Sequence, residues 1–181
     1  MKHYVELLLD MNFGYGTDKA VRTHASKSSG KTFYLWFSVV SSLITFFPRS
    51  PDVANIYGAS HGDDIYYLFR SDVIQALYEE VLKNNHTKES KVSLQAIDNI
   101  STIYTNLAKY GTPTYQNEPI EGFQSVQQDK VFFLDINNLG LTIGRRPNQI
   151  AFDFWESIEK RAIELSKDLK KPKQKAERNE L

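Results

Sequence analysis

Thr32-Phe33-Tyr34-Leu35-Trp36-Phe37-Ser38-Val39-Val40 is apolar at nearly every position and rich in aromatic and β-branched side chains. A run of that length and make-up fits a strand covered on both faces, as in a parallel sheet flanked by helices. A buried helix is the usual rival for a short apolar run, but length and aromatic content favour the strand. Just upstream, Ser26 to Lys31 reads as a turn around Gly30. Further back, Tyr4 to Leu9 is the end of a helix. Gly14 and Gly16 break the pattern, and Thr17-Asp18 caps a second helix reaching about His24.

Downstream of the run, Pro48, Pro51 and Gly58 mark a long irregular connection containing Phe46 and Phe47. Asp72 to Lys83 sets Val73, Ile74, Leu77 and Val81 at helical spacing behind a Ser71 or Asp72 cap. Asn84 to Ser90 is a polar loop. Leu94, Ile97, Ile100, Tyr104, Leu107 and Ala108 then form one stripe of a helix ended by Gly111 and Pro113. Val131 to Ile136 is a second strand. Pro147 opens a last helix with Phe154, Trp155, Ile158, Ala162, Leu165 and Leu169 on one face. Two strands separated by amphipathic helices predict an α/β arrangement of helices over a small sheet. The predicted division is a folded segment 1–170 and a basic flexible tail 171–181.

The 181 residues carry 22 Lys plus Arg and 22 Asp plus Glu, a net charge of +0, which speaks against a generally basic nucleic-acid footprint. With 41% hydrophobic and 13% aromatic residues the chain has the means to build a core. There is no Cys, so disulfides, thiolate metal sites and a Cys nucleophile are excluded. The apolar run 33–40 is too short to span a bilayer, and Glu6 interrupts the only stretch that could begin a signal peptide.

Of the four histidines, His3, His24 and His86 sit among polar neighbours and read as solvated rings. His61 lies in Gly58-Ala59-Ser60-His61-Gly62-Asp63-Asp64, flanked by glycines and followed by the apolar run Ile65-Tyr66-Tyr67-Leu68-Phe69. A base on such a loop can reach a nucleophile held by another element. The other reading is a loop histidine hydrogen-bonded to Asp63 or Asp64. A metal site on these three is the weakest reading, and no metal or cofactor is expected. The chain contains no Gly-x-Ser-x-Gly elbow, no glycine-rich oxyanion loop and no phosphate-binding loop.

The segment 58–69 resembles the catalytic-histidine segment of the type-B carboxylesterase family, which includes the cholinesterases. Other stretches match in the same order. Leu9-Asp10-Met11-Asn12-Phe13-Gly14-Tyr15-Gly16 resembles the family's aspartate-to-phenylalanine helix start, and Phe33 to Ser38 the strand before the histidine loop. Tyr104 to Pro113 resembles the aromatic-x-Asn-Phe-Ala-x-x-Gly-x-Pro stretch, with Tyr104 for tryptophan and Leu107 for phenylalanine. Phe132, Leu134, Asp135, Phe154 and Trp155 fall where the last strand and last helix do.

The resemblance implies the C-terminal part of an α/β-hydrolase fold, with few sheet strands, in which His61 is the base of a Ser-Glu-His triad. Neither the serine nor the glutamate is assigned to this chain, because in the family both lie further upstream than the residues preceding His61. The oxyanion hole is upstream as well. A small carboxylic ester is the implied substrate of an intact parent. The chain alone is expected to hydrolyse esters no faster than free imidazole, since triad members act as a unit. A strand 32–40 without its upstream neighbours would also present an apolar edge. The alternative is a non-catalytic adhesion or interaction protein of the same family.

Two sequons are present, at Asn85 and Asn99. At about 100° per residue, Asn99 falls opposite the Ile97/Ile100/Tyr104 stripe and is expected to face solvent. The ending Arg178-Asn179-Glu180-Leu181 resembles a lumenal retention signal. Sequons and tail together suggest an endoplasmic-reticulum or extracellular parent, although no signal peptide is read in this chain.

Overall fold

Helix formation starts at once and does not pause at the glycines. The computed structural model, which describes residues 2–41, 43, 58–116, 118–127 and 130–170, has α1 at Lys2–Leu9, a π-helical turn at Asp10–Gly14 and α2 at Tyr15–Lys27. The expected break at Gly14 and Gly16, and the cap at Thr17-Asp18, are therefore corrected. Gly14 is helical (φ −61°), and its missing side chain serves close packing: a Cβ there would lie 2.9 Å from the Phe152 ring.

Three strands form a mixed sheet in the order β1-β4-β5: β1 at Leu35–Phe37, β4 at Phe132–Asn137 and β5 at Gly140–Arg145. β1 runs parallel to β4, with Leu35 opposite Leu134, and β4 pairs antiparallel with β5. A two-stranded ribbon, β2 at Thr114–Tyr115 and β3 at Glu118–Pro119, stands apart from it. The hairpin loop between β4 and β5 clamps the end of β1. Asn138 accepts from the Val40 amide and donates to its carbonyl, both at 2.7 Å.

Alternation along β1 and β4 divides the core between two faces. Leu35, Phe37, Leu134 and Ile136 join Val39, Leu43, Tyr67, Val81, Ala96, Ile100 and Ile103 on the side of α3 (Asp63–Leu68), α4 (Gln75–Lys83) and α5 (Lys88–Tyr110). Tyr34, Trp36 and Phe133 gather with Val126, Val131, Val21 and Ala25 on the side of α2. Helices thus cover both faces of a small sheet, a mixed α/β architecture. Among the described residues β1 pairs on its β4 side, and Leu35 to Phe37 are half-buried, where burial on both faces was expected.

The final helix, α6 at Gln149–Lys170, turns a different face inward from the one its apolar spacing predicts. Phe152 is fully buried, while Phe154, Ile158, Leu165 and Ala162 are exposed and Trp155 is half-buried. Charge decides this. Glu156 and Glu159, one and two turns beyond Phe152, meet α2: Tyr15 Oη donates to Glu159 at 2.5 Å, Lys19 pairs with the same carboxylate, and Arg22 reaches Glu156 at 3.3 Å. Between them, the fully buried Asp18 accepts from Arg22 Nε at 2.9 Å and from Arg146 Nη2 at 2.9 Å, and Arg146 also holds Asp153 at 2.5 Å.

α5 carries the second correction. Its buried residues are Ser90, Ser93, Ala96, Asn99, Ile100, Ile103 and Asn106, so small polar side chains share the inner face. Asn99 is buried, with its amide nitrogen unpartnered, and does not face solvent as its angle from the apolar stripe predicts. Asn85, in contrast, is exposed in the turn between α4 and α5. The stretch with Phe46, Phe47, Pro48 and Pro51, and the tail with Arg178, Asn179, Glu180 and Leu181, lie outside the described residues. Among the described residues no helix is long and apolar enough to cross a membrane.

Candidate active site

The loop carrying His61 is shaped by its neighbours. Gly62 takes φ +88°, a left-handed conformation that glycine adopts without a Cβ clash, and turns the chain into α3. Ser60 and Asp63 lock the turn reciprocally. The Ser60 amide donates to the Asp63 carboxylate at 2.7 Å, and the Asp63 amide to the Ser60 carbonyl at 3.1 Å. This buried carboxylate thus accepts from the loop backbone.

α3 is docked by Tyr67, which is buried and tilted against Phe37 of β1 with ring centroids 5.1 Å apart. Its hydroxyl lies 2.6 Å from Ser41 Oγ, just past the carboxyl end of β1, and Ser93 of α5 donates to that same Ser41 oxygen at 2.7 Å. The His61 turn is therefore tethered near the carboxyl end of a parallel strand, where α/β sheets place their ligands. Burial pushes the Tyr67 phenol up to about 12, with the charge on Asp63 acting in the same direction and the Ser41 hydrogen bond against it. The stability contributed by neutral Tyr67 is complete below pH 10 and is lost as pH rises through about 12. Tyrosinate absorbance is expected to rise in two steps, with Tyr67→Phe removing amplitude from the later one; loss of amplitude from the early step alone would contradict this.

His61 itself is exposed. Its ring stacks on Phe13 of the π-helical turn, with centroids 4.9 Å apart and planes 27° from parallel. Among the described residues no carboxylate or hydroxyl hydrogen-bonds the imidazole, so neither Asp63 nor Asp64 holds it. The described residues contain no group of three His, Asp or Glu able to hold a metal ion. His3 pairs with Glu6 at 3.2 Å, His24 Nδ1 lies 2.8 Å from Thr32 Oγ1, and His86 is exposed in the turn before α5. A cavity of about 460 Å³ lined by Arg22, Lys130, Arg145 and Arg146 lies away from His61, which is not among its lining residues. The sequence marks Phe13 only as part of a helix start; its meeting with His61 is made by tertiary packing.

An accessible imidazole on a fixed turn can take up and release a proton, provided a nucleophile comes within hydrogen-bond reach. The model of the "Carboxylesterase family" matches residues 1–155, which include every element from α1 to the first turns of α6. A juvenile hormone esterase of Tribolium castaneum is 26% identical over 158 residues, 85% of this chain and 25% of the relative. The chain spans about a quarter of the length of that curated relative. With the family match covering most of its residues, the chain belongs to the carboxylesterase family.

Proposed function

We propose that His61 is the proton carrier of a serine-type carboxylic ester hydrolase, working with a serine, a glutamate and oxyanion donors that belong to polypeptide other than these 181 residues. The observation that carries this reading is the placement of the His61 turn. It is the one histidine on a glycine-flanked turn tethered to the carboxyl end of β1, and its ring is open to an incoming group. In the reaction the imidazole removes the serine proton as the hydroxyl attacks the ester carbonyl, then returns it to the departing alcohol. An acyl-serine remains, which water clears by the same route.

The test has two arms. Purified 181-residue chain is expected to hydrolyse p-nitrophenyl acetate no faster than the same concentration of imidazole, with His61→Ala making no saturable difference. In protein extended upstream through a serine elbow, turnover is expected and is lost in His61→Ala. Saturable activity in the short chain, or an extended enzyme indifferent to His61, would overturn the reading.

A secretory compartment for the parent is part of the same proposal. It is supported by the exposed sequon Asn85 and by the ending Arg178-Asn179-Glu180-Leu181, whereas the burial of Asn99 removes the second sequon as a support. A secreted reporter fused to residues 171–181 is expected to stay in the cell and to be released on deleting Leu181; equal secretion with and without Leu181 would refute retention.

A further inference from the structure

We infer that Phe13 is a positioning residue for His61, presented to it by a π-helical turn pinned at both ends. The inference rests on the reading of His61 as proton carrier. Three separate contacts support it. At the start of the turn the buried Asp10 carboxylate accepts two hydrogen bonds from the Asn148 amide, each 2.8 Å. At its end Gly14 lies against the buried Phe152 ring with no room for a Cβ. Between these anchors Phe13 points the other way, 48% exposed, with its ring face against the imidazole.

A π turn holds one more residue than an α turn, so it rotates the side chains beyond it relative to those before it. Here the rotation lets Asp10 and Gly14 face the start of α6, at Asn148 and Phe152, while Phe13 faces the His61 loop, two directions that a five-residue α-helical stretch would not serve equally. The segment is an irregularity inside an otherwise continuous helix, held by an amide-to-carboxylate hydrogen-bonded pair and a ring contact. A feature kept at that cost in local regularity needs a use, and the only ring Phe13 stacks on among the described residues is His61.

The physical role follows from what the imidazole lacks. Among the described residues its nitrogens have no hydrogen-bond partner, and none of those residues fixes its χ2 angle through a polar contact. An offset-stacked aromatic neighbour favours one ring plane while leaving both nitrogens accessible, and the preference is worth about a 2- to 10-fold population bias. Phe13 therefore orients the base without occupying the atoms that carry the proton, and acts through His61 and not on substrate.

Nuclear magnetic resonance of the 181-residue chain tests this directly. The imidazole carbon-bound protons of His61, assigned by their loss in His61→Ala, are expected upfield from the ring current of Phe13. Phe13→Leu should return them toward the unstructured position, Phe13→Tyr should keep them upfield, and the thermal melts of both variants should match wild type. Asn148→Ala, which frees one end of the turn without touching either ring, should produce a partial return. Imidazole resonances unchanged in Phe13→Leu would overturn the inference and leave the proton-carrier reading standing. A lost ring-current shift combined with an upstream-extended enzyme that ignores His61→Ala would instead sink the catalytic reading and leave the stack as a fact of packing. If Phe13→Leu fails to fold, the Phe13→Tyr and Asn148→Ala spectra decide alone: an imidazole unmoved by Asn148→Ala overturns the pinned-turn argument.

Discussion

Replacing His61 by Ala in upstream-extended protein is expected to lower kcat on p-nitrophenyl acetate by about 10⁵-fold or more, with KM changed little. The size follows from the way a nucleophile, its base and the group that orients the base act together. Without the imidazole the hydroxyl must lose its proton to water, and the departing alcohol must find a proton in solution. What then survives is the contribution of substrate binding and oxyanion donors, on the order of 10³- to 10⁴-fold over water. Because the His61 ring is exposed and its turn is held through Ser60, Gly62 and Asp63 backbone contacts, the alanine leaves the loop's own hydrogen bonds intact. Partial recovery with added imidazole is therefore expected. A fall of less than about tenfold would place the proton transfer elsewhere.

Asp18→Asn is expected to cost about 3 kcal/mol or more of folding stability, read as a lower urea midpoint at unchanged slope. Asp18 is completely buried and is the common acceptor for Arg22 on its own helix and Arg146 at the end of β5. A neutral amide of the same shape leaves two guanidinium groups facing it without their shared charge. Asp153 and Glu156 still compensate at the rim, at 2.5 Å and 3.3 Å from Arg146 and Arg22, which keeps the cost toward the lower end for a broken buried pair. The double variant Asp18→Asn with Arg146→Gln should lose less than the sum of the two single changes, since the second removes a partner already stranded. Strict additivity would show that the two side chains do not depend on one another.

The parts of this fold that sequence made legible are those where apolar spacing or a local cap decides the outcome. The strand expected over Val131 to Ile136 is β4, Phe132–Asn137, Ser71 accepts from the Val73 amide at the start of the helical stretch, and Gly111 ends α5 in a left-handed conformation, φ +67°. Legibility fails where polar groups choose the packing. The inner side of α6 is set by Glu156 and Glu159 meeting α2, and the inner side of α5 includes Ser93, Asn99 and Asn106. β5 was hidden for another reason: Gly-Leu-Thr-Ile-Gly-Arg carries two glycines, and Gly144 leaves space that the Phe133 ring fills. The glycines at 14 and 16 read as breakers because local propensity has no view of Phe152, which needs the empty space at position 14. The His61 turn was visible from its flanking glycines and the resemblance they belong to, whereas its companion Phe13 was not.

The parallel pairing of Leu35 with Leu134 also governs when this protein becomes itself. β1 leaves the ribosome before α3, α4 and α5 and meets its β4 neighbour only after all three have followed, with Asn138 still to grip Val40. Such non-local closure makes slow folding and gives chaperones a long interval in which to bind the nascent β1 segment. A chain stalled short of β4 would hold α3, α4 and α5 without the strand that pairs with Leu35 to Phe37, so quality control of this polypeptide is a matter of translation timing as much as of final stability.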